Sequence, residues 1–194
     1  MKTRVITISR ECGSGGRTIG KELAKRLDIP CYDQEIIERI AQKTGLATEY
    51  IRDTSEYMEH AGWLAGAFMP CDRSGHSIQG DMWAMQKRIM FDLLRKGPCV
   101  IVGRCADYIL KDDADLLRVF IHADLDKRVE RVLEVYGETD VHPAKMVRDK
   151  DRRREAYYNY YTHQKWGTPG NYDLTLNSGT LGIERCVDIL AKMY

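Results

Sequence analysis

The residues best placed to do chemistry are Gly13-Ser14-Gly15-Gly16-Arg17-Thr18. Glycines followed by a cation and a hydroxyl suit the capture of a phosphate. Glycine lets backbone N–H groups approach an anion where a Cβ would block the turn, and a helix opening at this point adds its positive end. Against the phosphate-loop pattern G-x-x-x-x-G-K-[ST], Glu11 to Thr18 reads E-C-G-S-G-G-R-T. Glu11 therefore replaces the first Gly and Arg17 replaces the Lys. Arg17 keeps the charge and can reach phosphate oxygens with a two-pronged fork, although that fork is larger than an ammonium. Thr18 offers the hydroxyl that such loops give to Mg²⁺, and Lys21 is a spare cation one turn on. The plain structural alternative is a glycine-rich turn between strand and helix that holds no ligand.

Such a loop needs a strand before it and a helix after it. Val5 to Ser9 (VITIS) supplies the first, and Ile19, Leu23 and Leu27 on one helical face supply the second. The same alternation continues through Ile29 to Asp33, Cys99 to Gly103, Leu117 to His122 and Tyr172 to Leu176. Five β-branched apolar runs separated by helical spacing predict an α/β fold with a mostly parallel sheet. Leu125, Val129, Val132 and Leu133 predict a further helix face. Ile183, Cys186, Val187 and Leu190 predict a closing helix with Ser178-Gly179-Thr180 as its N-cap. Two stretches break the alternation. Residues 34–96 are too long for one crossover and read as a helical insertion, with a Gly- and Met-containing loop from Gly62 to Gly80. His142 to Trp166 is helix-like, with six basic residues between Lys145 and Arg154 followed by Tyr157, Tyr158, Tyr160 and Tyr161, and reads as a lid.

The chain has 194 residues, which fits one domain, 1–194. Its 30 Lys and Arg against 29 Asp and Glu, a net charge of +1, argue against a protein that coats nucleic acid. No apolar run approaches the roughly 20 residues that span a bilayer, and the N-terminus runs straight into a strand pattern, so a cytoplasmic protein without a membrane partner is expected. The six cysteines contain no C-x-x-C pair, and the five histidines form no i,i+4 arrangement, so neither set predicts a zinc site. The Tyr cluster and the Met-bearing insertion leave room for a homo-oligomer.

The segments ISRECGSGGRTIGKELAKRL, IPCYDQEII, CVIVGRCADYIL, DADLLRVFIHA, DRRREAYYNYY and YDLTLNSGTLGIE, in this order, resemble the cytidylate kinase-like family of P-loop nucleoside monophosphate kinase relatives. The resemblance implies a P-loop NTPase-type three-layer fold with strand order 2-3-1-4-5, an acceptor-binding helical insertion within 34–96 and an Arg-rich lid at 142–166. It implies transfer of the γ-phosphoryl group of ATP, with Mg²⁺, to a small phosphate acceptor such as CMP. In that scheme Gly13, Ser14, Gly15 and Gly16 hold the ATP β-phosphate, Arg17 reaches the β and γ phosphates, and Thr18 meets Mg²⁺. Asp33 orients the acceptor or a Mg²⁺-bound water, or else caps the helix after it. Arg104 grips the acceptor's phosphate, or else forms a structural ion pair. Asp151 and Arg154 match the family's Asp-x-x-Arg pattern on the acceptor side, and Arg153 or Arg154 closes on the transferring phosphates. Val102 and Cys105 stand where cytidylate kinases proper carry carboxylates, and Asp107 is the neighbouring substitute for reading the base. Related readings are a P-loop kinase for a metabolite such as shikimate or dephospho-coenzyme A, and a nucleotide-binding sensor without turnover.

Overall fold

The computed structural model describes residues 2–33, 78–137 and 142–194. In chain order its elements are β1 (Arg4–Arg10), α1 (Gly16–Leu27), β2 (Cys31–Tyr32), α2 (Ile78–Leu94), β3 (Cys99–Val102), α3 (Ala106–Ile109), β4 (Asp115–His122), α4 (Leu125–Glu134), α5 (Pro143–Thr162), β5 (Leu174–Asn177), α6 (Ser178–Leu181) and α7 (Ile183–Lys192). The strands form one parallel sheet in the order β2-β3-β1-β4-β5. This is the expected P-loop arrangement.

A parallel sheet is covered on both faces, so its strands read as nearly continuous apolar runs. β1 is buried from Val5 to Ser9 and β3 throughout. Successive side chains point to opposite faces. Val5 joins Cys99, Ile101 and the α2 residues Ile89, Met90 and Leu93 on one side. Ile6 and Ile8 join Val100, Val102, Ile121, the α1 residues Ile19 and Leu23, and the α7 residues Cys186, Val187 and Leu190 on the other. Each fully buried Ile or Leu contributes roughly 1.5–3 kcal/mol.

Several expectations shift in detail. The second strand shrinks from Ile29–Asp33 to Cys31–Tyr32, because Pro30 has no N–H to give a ladder. The last strand starts at Leu174 rather than Tyr172, because a 3₁₀ turn at Pro169–Asn171 precedes it and the Tyr172 N–H bonds back to the Pro169 carbonyl. In α4, Val132 is buried but Leu133 is exposed: 100° per residue swings position 133 off the stripe of 125, 129 and 132. The N-cap also moves. Asn177 Oδ1 accepts from the Gly179 and Thr180 N–H groups at 3.0 and 3.2 Å and starts the short α6, whereas α7 begins after Gly182. Residues 34–77 of the expected insertion, with most of its Gly- and Met-containing loop, lie outside the described residues; 78–94 form α2. The stretch expected as a lid contains α5, whose C-cap His163 lies in the left-handed region.

Candidate active site

The loop between β1 and α1 turns on Gly13 and Gly15, each at φ 78°. Left-handed backbone is cheap only without a Cβ, and space forbids one here as well. A Cβ on Gly13 would strike the Arg128 carbonyl oxygen, and one on Gly15 the Ile183 side chain. The loop is braced from three directions. Ser14 Oγ donates to the Glu11 carbonyl at 2.9 Å, and Ser178 Oγ donates to the Ser14 carbonyl at 2.6 Å. Glu11 accepts from the Ala123 N–H at 3.1 Å and lies 3.4 Å from Arg128 Nε, so the residue that replaces the first glycine ties the loop to the end of β4. Buried Arg128 donates to the Cys12 carbonyl at 3.2 Å and pairs with Asp151.

Asp151, on α5, accepts from the Cys12 N–H at 2.6 Å and lies 3.6 Å from Arg154. Its carboxylate therefore fastens α5 to the loop between β1 and α1. Burial pushes its pKa up, against the pull of the Cys12 N–H and the two arginines. Arg154 Nη1 donates to the Arg10 carbonyl at 3.2 Å. Arg152 faces solvent, 3.4 Å from Asp149, and Arg153 is half-buried on the same helix. Lys21 is exposed on α1, and Thr18 sits half-buried in its first turn.

A second turn follows β3. Gly103, Arg104 and Cys105 run through the left-handed region at φ 76°, 60° and 54°. Two non-glycine residues held there store roughly 1–2 kcal/mol each. Gln86 of α2, itself buried, secures the turn: its Nε2 donates to the Arg104 carbonyl at 2.8 Å while its Oε1 accepts from Tyr157 OH at 3.0 Å. Arg104 and Arg154 line one crevice together with Arg10, and its remaining wall includes Cys105, Tyr157, Tyr158 and Trp166. Beside it, Asp33 follows β2, pairs with Arg17 and lies 3.9 Å from Arg10. Arg17, Arg104 and Arg154 thus gather at the carboxyl edge of the sheet, where open α/β folds bind ligands.

Arg10 escaped the sequence reading, where it falls just past the apolar run Val5 to Ser9; in the structure it ends β1. Burial and the nearby charges of Arg154, Arg104 and Arg17 hold its guanidinium below the usual range, at about 9, with Asp33 pulling the other way. Burial pushes the Cys105 thiol and the Tyr157 and Tyr158 phenols up, so the wall is uncharged at neutral pH. Asp107 does not enter the crevice. It is buried behind it and accepts from Tyr158 OH at 2.7 Å, with its own pKa raised by burial. The tyrosines act mainly as packing: Tyr161 stacks on Trp83 at 4.3 Å, while Tyr160 is exposed.

Residues 5–180 match the sequence model of the cytidylate kinase-like family. The chain belongs to that family. A cytidylate kinase from Archaeoglobus fulgidus is 28% identical over 192 residues, covering 96% of this chain and 92% of that protein. The crystal structure of a protein from Eubacterium ventriosum ATCC 27560 shares 27% identity with a TM-score of 0.72, covering 97% of this chain and 96% of that one. A shikimate kinase from Acinetobacter baumannii, 13% identical and covering 100% of this chain and 93% of that one, shares the fold at a TM-score of 0.53. Family and fold together support a phosphotransferase, and the family implies ATP as donor.

Proposed function

We propose that the protein moves the γ-phosphoryl group of ATP to a nucleoside monophosphate, CMP foremost, with Mg²⁺. One observation carries this reading: the glycine loop and three separate arginines, Arg17, Arg104 and Arg154, meet at one sheet edge although they come from different elements. Phosphoryl transfer asks little covalent chemistry of a protein. Positioning two polyanions and neutralising the charge that spreads over the group in transit account for most of the rate.

The backbone N–H groups of Gly13 to Gly16 hold the β-phosphate, aided by the helix dipole of α1. Arg17 exchanges Asp33 for the β and γ phosphates. Arg104 orients the acceptor's phosphate, and Arg154, with Arg153 beside it, stabilises the charge in transit. Asp151 keeps Arg154 and the loop in register. Asp33, released from Arg17, orients the acceptor. The Thr18 hydroxyl is an oxygen donor that would suit a hard cation, and the Asp33 carboxylate, which pairs with the residue next to Thr18, would orient a water on that cation where it does not orient the acceptor. Mg²⁺ held there would supply positive charge against the negative charge of the phosphates.

The test is ADP formation across CMP, dCMP, UMP, AMP, GMP and unphosphorylated metabolites such as shikimate. CMP should give the highest kcat/KM. Absence of turnover with every nucleoside monophosphate sinks the acceptor assignment. A second reading keeps the reaction and changes the acceptor. Its support is Cys105, a neutral thiol where a carboxylate would read an exocyclic amino group, and its signature is higher kcat/KM with a non-nucleotide acceptor.

A further inference from the structure

We propose that Arg10 is a second ligand for the acceptor's phosphate, working beside Arg104; this rests on the kinase reading above. The side chain spans the distance between the two phosphate-handling turns. Its Cβ and Cγ lie 2.6 and 3.0 Å from where a Cβ on Gly16 would sit, and its guanidinium fills the place of a Cβ on Gly103. The glycines that open α1 and the acceptor-side turn therefore both make room for this one arginine.

Its charge is under-compensated. Among the described residues, Asp33 is the carboxylate paired with it, at 3.9 Å, beyond hydrogen-bond distance and already engaged by Arg17. Among the described residues, the other charged groups acting on it are Arg154, Arg104 and Arg17. Half-buried and set beside three other arginines, the Arg10 guanidinium favours a close anion. A phosphate dianion in the crevice lined by Arg10, Arg104 and Arg154 supplies the missing charge and accepts two parallel N–H bonds from a guanidinium.

The experiment compares wild type with Arg10→Gln and Arg10→Lys in two arms. In steady-state kinetics, Arg10→Gln should raise KM for the acceptor about 10- to 100-fold, the scale of a lost charged hydrogen bond. KM for ATP should stay within about twofold, and Arg10→Lys should recover part of the loss. Equal rises in both KM values, or unchanged KM values with a lowered Tm, make Arg10 a packing residue and overturn the proposal. The second arm needs no turnover: with ADP and Mg²⁺ saturating, inorganic phosphate is titrated and Tm followed. A phosphate-dependent rise in wild type that Arg10→Gln loses supports the role. An equal rise in both, or none in wild type, overturns it. Wild type that turns over no nucleoside monophosphate but passes the second arm would refute the acceptor identity and leave Arg10 in place.

Discussion

The two turns at the carboxyl edge of the sheet solve one problem in opposite ways. Both follow a central strand, and both run through left-handed backbone. The loop after β1 does so with Gly13 and Gly15, where neighbouring atoms leave no room for a side chain. The turn after β3 does so with Arg104 and Cys105, which carry the strain. In the proposed function the first offers backbone N–H groups and must be bare, whereas the second offers a guanidinium and cannot be; strain is tolerated where a side chain is needed.

Substitutions can break this contrast. Arg17→Ala removes the side-chain cation proposed for the donor phosphates and should lower kcat about 10²- to 10³-fold; retained turnover would hand that role to Lys21 or an α5 arginine. Gly13→Ala forces a Cβ onto the Arg128 carbonyl, and kcat/KM for ATP should fall roughly 100-fold through misplacement of the loop. Asp151→Ala leaves Arg128 with Glu11 as its remaining carboxylate among the described residues and strips the Cys12 N–H of its acceptor. Chemical denaturation should show a loss of roughly 3 kcal/mol. Arg104→Gly tests the other turn: relieving φ 60° should raise stability by about 0.5–1 kcal/mol while acceptor KM rises at least about tenfold. A loss of stability would show that the turn is not strained.

The smallest effect concerns Asp107, two residues beyond the acceptor-side turn. Burial raises its pKa, so the folded state holds the proton more tightly than the unfolded one. The resulting penalty is absent below the ordinary carboxylate range and grows as pH rises from there through the raised folded value. Asp107→Asn, which still accepts from Tyr158 OH, should stabilise the protein at neutral pH and leave stability at about pH 3 unchanged. Denaturant titrations at the two pH values check this.

The phosphate loop was legible because each of its demands leaves a mark: an apolar strand, glycines where the chain turns, and a helical stripe behind. The order of the strands was not legible from periodicity and came through resemblance. Arg128 and Gln86 left no mark, because a buried polar residue on a helix looks like any solvent-facing one until its partners are known. Arg10 was hidden for a similar reason. Glu11 stood in the sequence only as a departure from the loop pattern, whereas its carboxylate accepts from the Ala123 N–H and lies against Arg128, tying the loop to the end of β4.

Trp166 gives the crevice an optical reporter. Its Nε1–H donates to Ser9 Oγ at 2.9 Å, its ring meets Phe120 edge-on at 5.2 Å, and it lines the wall that faces Arg104 and Arg154. Indole emission shifts with local polarity and charge, so a phosphorylated molecule entering beside it changes the fluorescence without any label. Acceptor arrival can then be timed separately from catalysis in a stopped-flow instrument, with Trp166→Phe as the control that leaves the background of Trp63 and Trp83.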